Sequence, residues 1–152
     1  MTVDSAGMPS VNDDPVQRLR AAGLRITTPR LEVLRALTEG PSHIDADRLA
    51  AAVRARTGGI SAQTVYNVLA SLMAVGWVRR IEPAGGPGLY ELRVGDNHHH
   101  IVCRQCAATA DVDCAAMPAP CLTPSDTSGY LIDEAEVTFW GLCPGCRAAA
   151  GT

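Results

Sequence analysis

The sequence predicts an α+β fold in two parts, and three observations lead to that prediction. Apolar residues recur at helical spacing through most of the first half of the chain. Two strand-like segments, 77–81 and 89–92, follow around a glycine-rich loop. The second half has short β-type segments and two Cys-x-x-Cys pairs, and 152 residues suffice for two small domains.

Helix boundaries organise the first half. Residues 1–14 are small and polar without an apolar period, so we expect a flexible arm. Helix-starting residues then precede three further segments: Pro15, Thr28-Pro29 (with Thr28 as the N-cap) and Asp45. Each of these segments ends at a glycine: Gly23, Gly40 and Gly58.

A fourth helix has the clearest apolar period. Ser61 caps it, and Gly76 lies where its C-terminal glycine is expected. Its apolar residues fall at i, i+3, i+4, i+7 and i+8: Val65, Val68, Leu69, Leu72 and Met73. Gln63 and Asn67 point away from that stripe, and a charge-free face with amides fits a DNA major groove. The alternative is an ordinary amphipathic surface helix.

Helices followed by a strand pair over residues 15–93 predict a winged helix-turn-helix, with Arg79 and Arg80 placed to contact phosphates. The charges agree with this prediction. Residues 15–80 hold ten Arg and four acidic residues, whereas residues 81–152 hold three Arg and nine acidic residues, within a net charge of −3. A basic first half favours a polyanion-binding module, joined to a module with another role.

Residues 94–100 are predicted to form a hinge, and residues 101–152 a smaller α/β lobe. Strands are expected to open at Ile101-Val102 and to cover 109–113 and 137–140. Three prolines exclude a long helix after the second of these strands, although one turn is allowed at Thr123-Pro124: Pro118, Pro120 and Pro124.

The two Cys-x-x-Cys pairs have 36 residues between them and can supply four thiolates to one tetrahedral Zn²⁺: Cys103, Cys106, Cys143 and Cys146. Two disulfides, or thiols that only fill a core, are the alternatives. The N-terminus shows no basic stretch followed by an apolar block, which predicts a cytoplasmic protein and favours zinc. No apolar run approaches the roughly 20 residues of a membrane span, so no membrane partner is expected.

Several segments together resemble the ferric uptake regulator (Fur) family of bacterial metal-dependent repressors, over roughly residues 16–146. They are AGLRITTPR at 22–30, QTVYNVL at 63–69, the run from His98 to Cys106, and the late Cys-x-x-Cys. Segments 95–103 and 140–143 look like the FurA/CatR branch, which is associated with control of catalase-peroxidase genes. The resemblance implies a homodimer that binds a double-stranded DNA operator and has no small-molecule substrate.

The resemblance also assigns roles residue by residue. It implies that the four cysteines hold structural zinc and that five residues hold a regulatory metal: His43, Glu91, His98, His100 and Asp111. It implies DNA contacts for Arg25 and Tyr66, and Ser61 and Thr64 begin the same recognition helix. Some positions depart from relatives. Asn67 stands where many have Arg, and Asn97 and Ala135 stand where some have histidines of a third metal site.

Imidazoles combined with carboxylates suit Fe²⁺, and also Mn²⁺, Co²⁺ or Zn²⁺. His98 and His100 alternate in an extended segment, so both should face one ion while His99 faces away. An ion held by both lobes would set the separation of the two recognition helices in a dimer. By resemblance to peroxide-sensing relatives, iron there also predicts oxidation of His43 or His98.

Two further cysteines, Cys114 and Cys121, are left spare by the four-thiolate site. They are either inert thiols or a redox-active pair.

A zinc-responsive repressor of the same fold is the nearest alternative, because the ligand types do not exclude Zn²⁺ as the effector. The rival from another class is an enzyme, either a metallohydrolase or a thiol oxidoreductase. A catalytic zinc site needs an open position and a general base in a pocket, and Cys-x-x-Cys here lies outside any βαβ pattern. We therefore predict a metal-dependent repressor and not an enzyme.

Overall fold

The chain divides into two units, Met1–Gly95 and Asp96–Thr152. Helices packed around an aliphatic core form most of the first unit. The computed structural model describes residues 14–83, 85–92, 94, 96, 98–114, 121–132 and 135–151. The helices of the first unit are α1 (Pro15–Ala21), α2 (Thr28–Glu39), α3 (Ala46–Thr57) and α4 (Ala62–Ala74). Its strands are β1 (Ile44–Asp45), β2 (Arg79–Ile81) and β3 (Leu89–Glu91).

Side-chain caps start these helices, and one lies a residue away from its predicted place. Asp45 and Ser61 cap α3 and α4 as predicted, accepting hydrogen bonds from backbone N–H groups in the first turn. The cap of α2 is Thr27, whose hydroxyl accepts from the N–H of Arg30 at 3.4 Å, so the prediction of Thr28 was wrong. Thr27 is the residue with extended backbone, and only an extended residue can aim its hydroxyl back at the first turn.

The apolar stripes of the four helices meet in one core. Fully buried leucines come from every helix: Leu19, Leu34, Leu49, Leu69 and Leu72. The predicted stripe of α4 is buried at Val65, Val68, Leu69 and Leu72, and Met73 packs at its margin. Removing this much apolar surface from water supplies most of the stability of the unit, at about 25 cal/mol per Å².

The strands of the first unit form an antiparallel sheet in the order β1-β3-β2. The hairpin β2–β3, with loop 82–88, is the predicted wing, and helices followed by this wing confirm the winged helix-turn-helix. Strand β1 was not predicted. It has two residues, too few for a periodic signal, and exists because Ile44 and Asp45 pair with Tyr90 and Leu89.

The second unit contains a three-stranded sheet and one short helix: β4 (His98–Cys103), β5 (Thr109–Asp113), β6 (Thr138–Gly141) and α5 (Pro144–Ala150). The central strand β4 is antiparallel to β5 and parallel to β6. The α+β class is confirmed. Two details differ from the expectation: α5 was not predicted, and β4 opens at His98 rather than Ile101, because His98 already pairs with Asp113.

Some predictions concern residues that the structure does not describe. Residues 1–13, which make up nearly all of the predicted arm, and residues 95 and 97 of the hinge lie outside the described residues, as do Pro118 and Pro120. The described part of the proline-containing region, 121–132, contains no helix, so the helical turn allowed at Thr123-Pro124 is not formed. Within the described ranges, no helix has the length and apolar character that crossing a bilayer would require.

Core packing gives the first testable expectation. Leu49→Ala should lower the free energy of unfolding of the first unit by about 2–5 kcal/mol, because it leaves a cavity among fully buried side chains. Urea unfolding followed by circular dichroism at the helix band measures the loss. Ala52→Ser, on the exposed side of the same helix, is the matched control and should change stability by less than about 0.5 kcal/mol. Equal effects of the two substitutions would contradict this core.

Candidate functional site

Strand β4 presents histidines on both of its faces. Successive side chains of a strand point to opposite sides, so His98 and His100 share one face and His99 occupies the other. The rings of His98 and His100 lie 4.9 Å apart between centroids in an edge-to-face arrangement. All three imidazoles are buried. The prediction that His98 and His100 face the same side is confirmed.

The four cysteines of the two Cys-x-x-Cys pairs come together at one end of this sheet. Cys103 is the last residue of β4 and pairs with Gly141 of β6, which carries the chain directly to Cys143 and the start of α5. The four sulfur atoms all lie within 4.8 Å of one another, and the Sγ atoms of Cys106 and Cys143 are 3.7 Å apart. Thiolates around a tetrahedral Zn²⁺ are separated by about 3.8 Å, so this cluster fits the ion.

Backbone N–H groups make the thiols of this cluster unequal. The N–H of Cys143 donates to Sγ of Cys103 at 3.3 Å and, with the N–H groups of Cys106 and Gln105, lowers the pKa of Cys103 to about 6. The neighbouring sulfurs of Cys143 and Cys106, together with burial, raise the pKa of Cys146 to about 12. One thiolate is therefore ready at neutral pH, and a cation would have to displace the proton of Cys146.

A second set of side chains that can bind metal includes His98 and His100 and the carboxylates near them. Nδ1 of His98 lies 2.6 Å from Oδ1 of Asp96, a carboxylate contact that orients many metal-binding imidazoles. His100 lies between two carboxylates. Its Nε2 is 3.8 Å from Oδ1 of Asp111 and its Nδ1 is 3.9 Å from Oε1 of Glu136.

Glu136 was missed by the sequence analysis. No sequence signal marked it, because its position two residues before Thr138 matters only through the pairing of Thr138 with His100 in the structure.

The first unit holds its own pair of ligand-type groups. His43 precedes β1 and Glu91 ends β3, so the pairing of Ile44 with Tyr90 sets them opposite each other. Nε2 of His43 is 3.0 Å from Oε2 of Glu91, and the two side chains are 5% and 1% exposed. Ligands at right angles around an ion, each at about 2.1 Å, are about 3 Å apart. The separation therefore suits two ligands of one cation.

The predicted DNA-binding residues occupy an exposed side of the first unit. Gln63 and Asn67 are exposed on α4, and Nε2 of Gln63 donates to Oδ1 of Asn67 at 3.1 Å. Tyr66, beside them, is 43% exposed.

Ser61 and Thr64 begin α4 with their hydroxyl groups 2.9 Å apart, and Arg25 is exposed ahead of α2. On the wing, Arg79 is half-buried, while Arg80 is exposed and forms an ion pair with Glu82 at 2.5 Å.

Cys114 and Cys121 lie close to His99, the histidine that was predicted to face away from the regulatory metal. Sγ of Cys121 lies 3.0 Å from Nε2 of His99, and both sulfurs and one ring nitrogen of His99 are within 4.8 Å of one another. Whether the two cysteines are inert thiols or a redox-active pair stays untested. The sequence offered no signal for this grouping, because only the β4–β5 register, in which His99 pairs with Val112, brings Cys114 near His99.

Comparison with known proteins agrees with this architecture. Residues 21–139 match the ferric uptake regulator family. The chain is 55% identical over 133 residues to the transcriptional regulator FurA of Mycobacterium tuberculosis, covering 88% of this chain and 90% of that protein. The chain belongs to the ferric uptake regulator family. It is 57% identical over 122 residues to ferric uptake regulation protein 1 of Mycolicibacterium fortuitum, covering 80% of this chain and 75% of the relative.

A solved member of the Fur family has a similar fold. The crystal structure of the Vibrio cholerae ferric uptake regulator superposes with a TM-score of 0.62 at 27% sequence identity, covering 84% of this chain and 98% of that one. The predicted resemblance to the Fur family and its FurA branch is confirmed. As a Fur family member the protein is a metal-responsive, DNA-binding transcriptional regulator, and the prediction that it is not an enzyme is also confirmed.

The difference in pKa between the thiols of Cys103 and Cys146 can be tested by their reactivity. In reduced protein freed of metal by a chelator, iodoacetamide should modify Cys103 about tenfold or more faster than Cys146 near neutral pH, although Cys103 is the more buried. A lowered pKa leaves Cys103 as thiolate above about pH 6, so the preference should fall as the pH decreases through that value. Peptide mass spectrometry measures both rates. In denaturant they should be similar, and faster reaction of Cys146 in the folded protein would contradict the assignment.

Proposed function

We propose that this Fur family protein is an iron-responsive repressor that binds operator DNA as a homodimer, with structural Zn²⁺ at the four cysteines. The regulatory Fe²⁺ would be held by five residues, with Mn²⁺ or Zn²⁺ as possible substitutes: His43, Glu91, His98, His100 and Asp111. The observation that carries the proposal is the buried pairing of His43 with Glu91 at 3.0 Å in the unit that contains the winged helix. A nitrogen and a carboxylate at that spacing suit a borderline divalent cation.

The ligand residues of the second unit support the same site. His98 and His100 share a face of β4, and Asp111 pairs directly with His100 across the strands. The Asp96 carboxylate at Nδ1 of His98 favours the tautomer in which Nε2 is the ligand nitrogen. The set has imidazoles and carboxylates but no thiolate, which favours Fe²⁺ or Mn²⁺ over a purely zinc-selective site.

The mechanism follows from the division of the ligands between two units. Bound Fe²⁺ would supply a double positive charge that neutralises the carboxylates and favours the arrangement in which all five side chains are engaged. His43 and Glu91 would couple that arrangement to the recognition helix α4 through β1 and β3. To shift the protein from mostly the DNA-free conformation to mostly the DNA-binding conformation, the cation must bind the second about 5.5 kcal/mol more tightly than the first. Several ligands from both units can provide this difference.

Exposed apolar residues on the second unit support the homodimer. Ile101 and Phe139 pair across β4 and β6 and are 43% and 47% exposed, and Tyr130 and Leu131 are 76% and 96% exposed. The adjacent pair Ile101 and Phe139 in particular favours an interaction surface on this sheet. The DNA-binding part of the proposal draws on relatives as well, since the V. cholerae regulator is described as having DNA-binding domains.

Two finer expectations stay predictions. Peroxide acting on the iron-loaded site would oxidise His43 or His98 and release the repressor. A zinc-responsive repressor of the same fold is the alternative, favoured if Zn²⁺ rather than Fe²⁺ activates DNA binding at physiological free concentrations.

The regulatory site is tested by variants that should change the Fe²⁺ dependence of operator binding without changing the amount of structural zinc. His43→Ala and Glu91→Gln should each raise the Fe²⁺ concentration needed for operator binding by about tenfold or more, because each removes one ligand. Fluorescence anisotropy with operator DNA under argon, repeated with Mn²⁺ and Zn²⁺, measures the response. Glu39→Gln changes an exposed carboxylate of the same unit and is the matched control. All variants should retain the same tightly held zinc, and a normal iron response in His43→Ala would refute the site.

The recognition helix is tested by its amide pair. Gln63→Ala should weaken specific operator binding by about 1–3 kcal/mol and relax the preference at one base pair, since the amide can bond bidentately to an adenine edge. Arg79→Ala should instead weaken binding to all sequences and reduce the slope of log K against log salt by about 1. Arg35→Ala, an exposed arginine paired with Glu32 on α2, is the control and should leave both quantities unchanged. If Gln63→Ala left operator preference intact, α4 would not be the element that recognises base edges.

A further inference from the structure

A third cluster of ligand-type atoms lies in the second unit, on the opposite face of β4 from His98 and His100. It consists of a ring nitrogen of His99 and the sulfurs of Cys114 and Cys121, all within 4.8 Å of one another. None of these residues belongs to the four-cysteine cluster or to the proposed regulatory site. Two thiols and an imidazole at this spacing need an explanation of their own.

The sheet itself positions two of the three side chains. His99 is 5% exposed and lies on the central strand, where β5 and β6 flank it on both sides. Val112 is its partner on β5, and Cys114 directly follows the end of that strand, two residues after Val112. The ring of Phe139 packs edge-on against His99, with the centroids 6.4 Å apart, and limits rotation of the imidazole.

His99 has poor hydrogen-bond partners for a buried imidazole. Its Nε2 is 3.0 Å from the thiol of Cys121, and thiols are poor hydrogen-bonding groups. Among the described residues its Nδ1 has no hydrogen-bond partner. Buried polar groups are normally satisfied, and a buried imidazole next to two cysteines is better satisfied by a metal ion than by thiols.

We propose that His99, Cys114 and Cys121 form a third metal site, which binds a soft or borderline cation of the Zn²⁺ or Cu⁺ class through two thiolates and one imidazole. Three protein ligands leave one coordination position open for Zn²⁺ and complete a trigonal set for Cu⁺. Ligation through Nε2 places the proton of the neutral imidazole on Nδ1. The site is independent of the proposed regulatory function, because it shares no ligand with it.

Binding should be linked to proton release. Burial and the adjacent Cys114 sulfur raise the pKa of the Cys121 thiol, so in metal-free protein this group is protonated at neutral pH. The cation binds the thiolate, and the thiol proton passes to solvent. No oxidant or reductant takes part, and both sulfurs keep their oxidation state.

Metal stoichiometry provides the test. Reduced full-length protein is freed of metal, loaded under argon with Zn²⁺ or, in a parallel arm, with buffered Cu⁺, desalted and analysed for bound metal. Wild type should hold one equivalent more than Cys114→Ser, Cys121→Ser and His99→Gln in the arm that supplies the preferred ion. Ser125→Ala, at an exposed position of the same unit outside all three clusters, is the control and should hold as much metal as wild type.

Alkylation makes the assignment specific to residues. Bound metal in wild type should protect the Cys114 and Cys121 peptides from iodoacetamide by about tenfold or more, and His99→Gln should abolish that protection. Circular dichroism shows whether each variant is folded, and protection of Cys103 shows that its four-cysteine cluster is intact. The proposal is overturned if folded Cys121→Ser binds as much of both metals as wild type. It is also overturned if Cys114 and Cys121 are alkylated equally with and without metal and form a disulfide in air.

Discussion

Hydrogen-bonded pairing of β4 with strands on both sides is the constraint on which the second unit depends. A central strand has no free edge, so its six residues are held in register by β5 and β6 together. Strict alternation then separates His98 and His100 from His99, and the end of the strand delivers Cys103 to the four-cysteine cluster. A slip of one residue would exchange the two histidine faces, which gives this register a chemical as well as a packing role.

In the first unit, a shorter strand pairing also positions two side chains that can bind metal. Strand β1 has only two residues, yet its pairing with β3 sets His43 opposite Glu91 in a buried position. A buried carboxylate is costly unless it is paired, and an imidazole or a cation is a suitable partner. The helical core meanwhile holds α4 by its apolar stripe and leaves the amides of Gln63 and Asn67 exposed. One small unit therefore combines a ligand pair with a surface suited to DNA.

The six cysteines illustrate how surroundings determine chemistry. Near Cys103, backbone N–H groups stabilise the thiolate and lower its pKa, which prepares the cluster for a cation. Near Cys121, burial and a second sulfur act in the opposite direction. The same residue type thus occurs as a preformed thiolate at Cys103 and as a thiol that must lose a proton at Cys146 and Cys121. Spacing along the chain does not distinguish these two cases.

Local features of the sequence were sufficient for much of this protein. Helix caps, the stripe of α4, the hairpin of the wing and the alternation of the histidines depend on neighbouring residues, and they were predicted to within one to three positions. The four-cysteine cluster was predicted because two Cys-x-x-Cys pairs are a strong pattern even when distant in sequence. The pattern of α4 and the wing also pointed to Gln63, Asn67 and the wing arginines as DNA contacts. Family resemblance supplied Arg25, Tyr66 and the regulatory ligands, and all these roles remain proposals.

The tertiary structure decided what depends on contacts between distant segments. Strand β1 exists only through its pairing with β3, and β4 begins at His98 only because β5 lies alongside it. Glu136 and the partners of His99 come from segments far along the chain, where nothing local marks them. Caps and alternation are properties of a few adjacent residues, whereas the side chains that share a site are selected by strand register, which the whole fold determines.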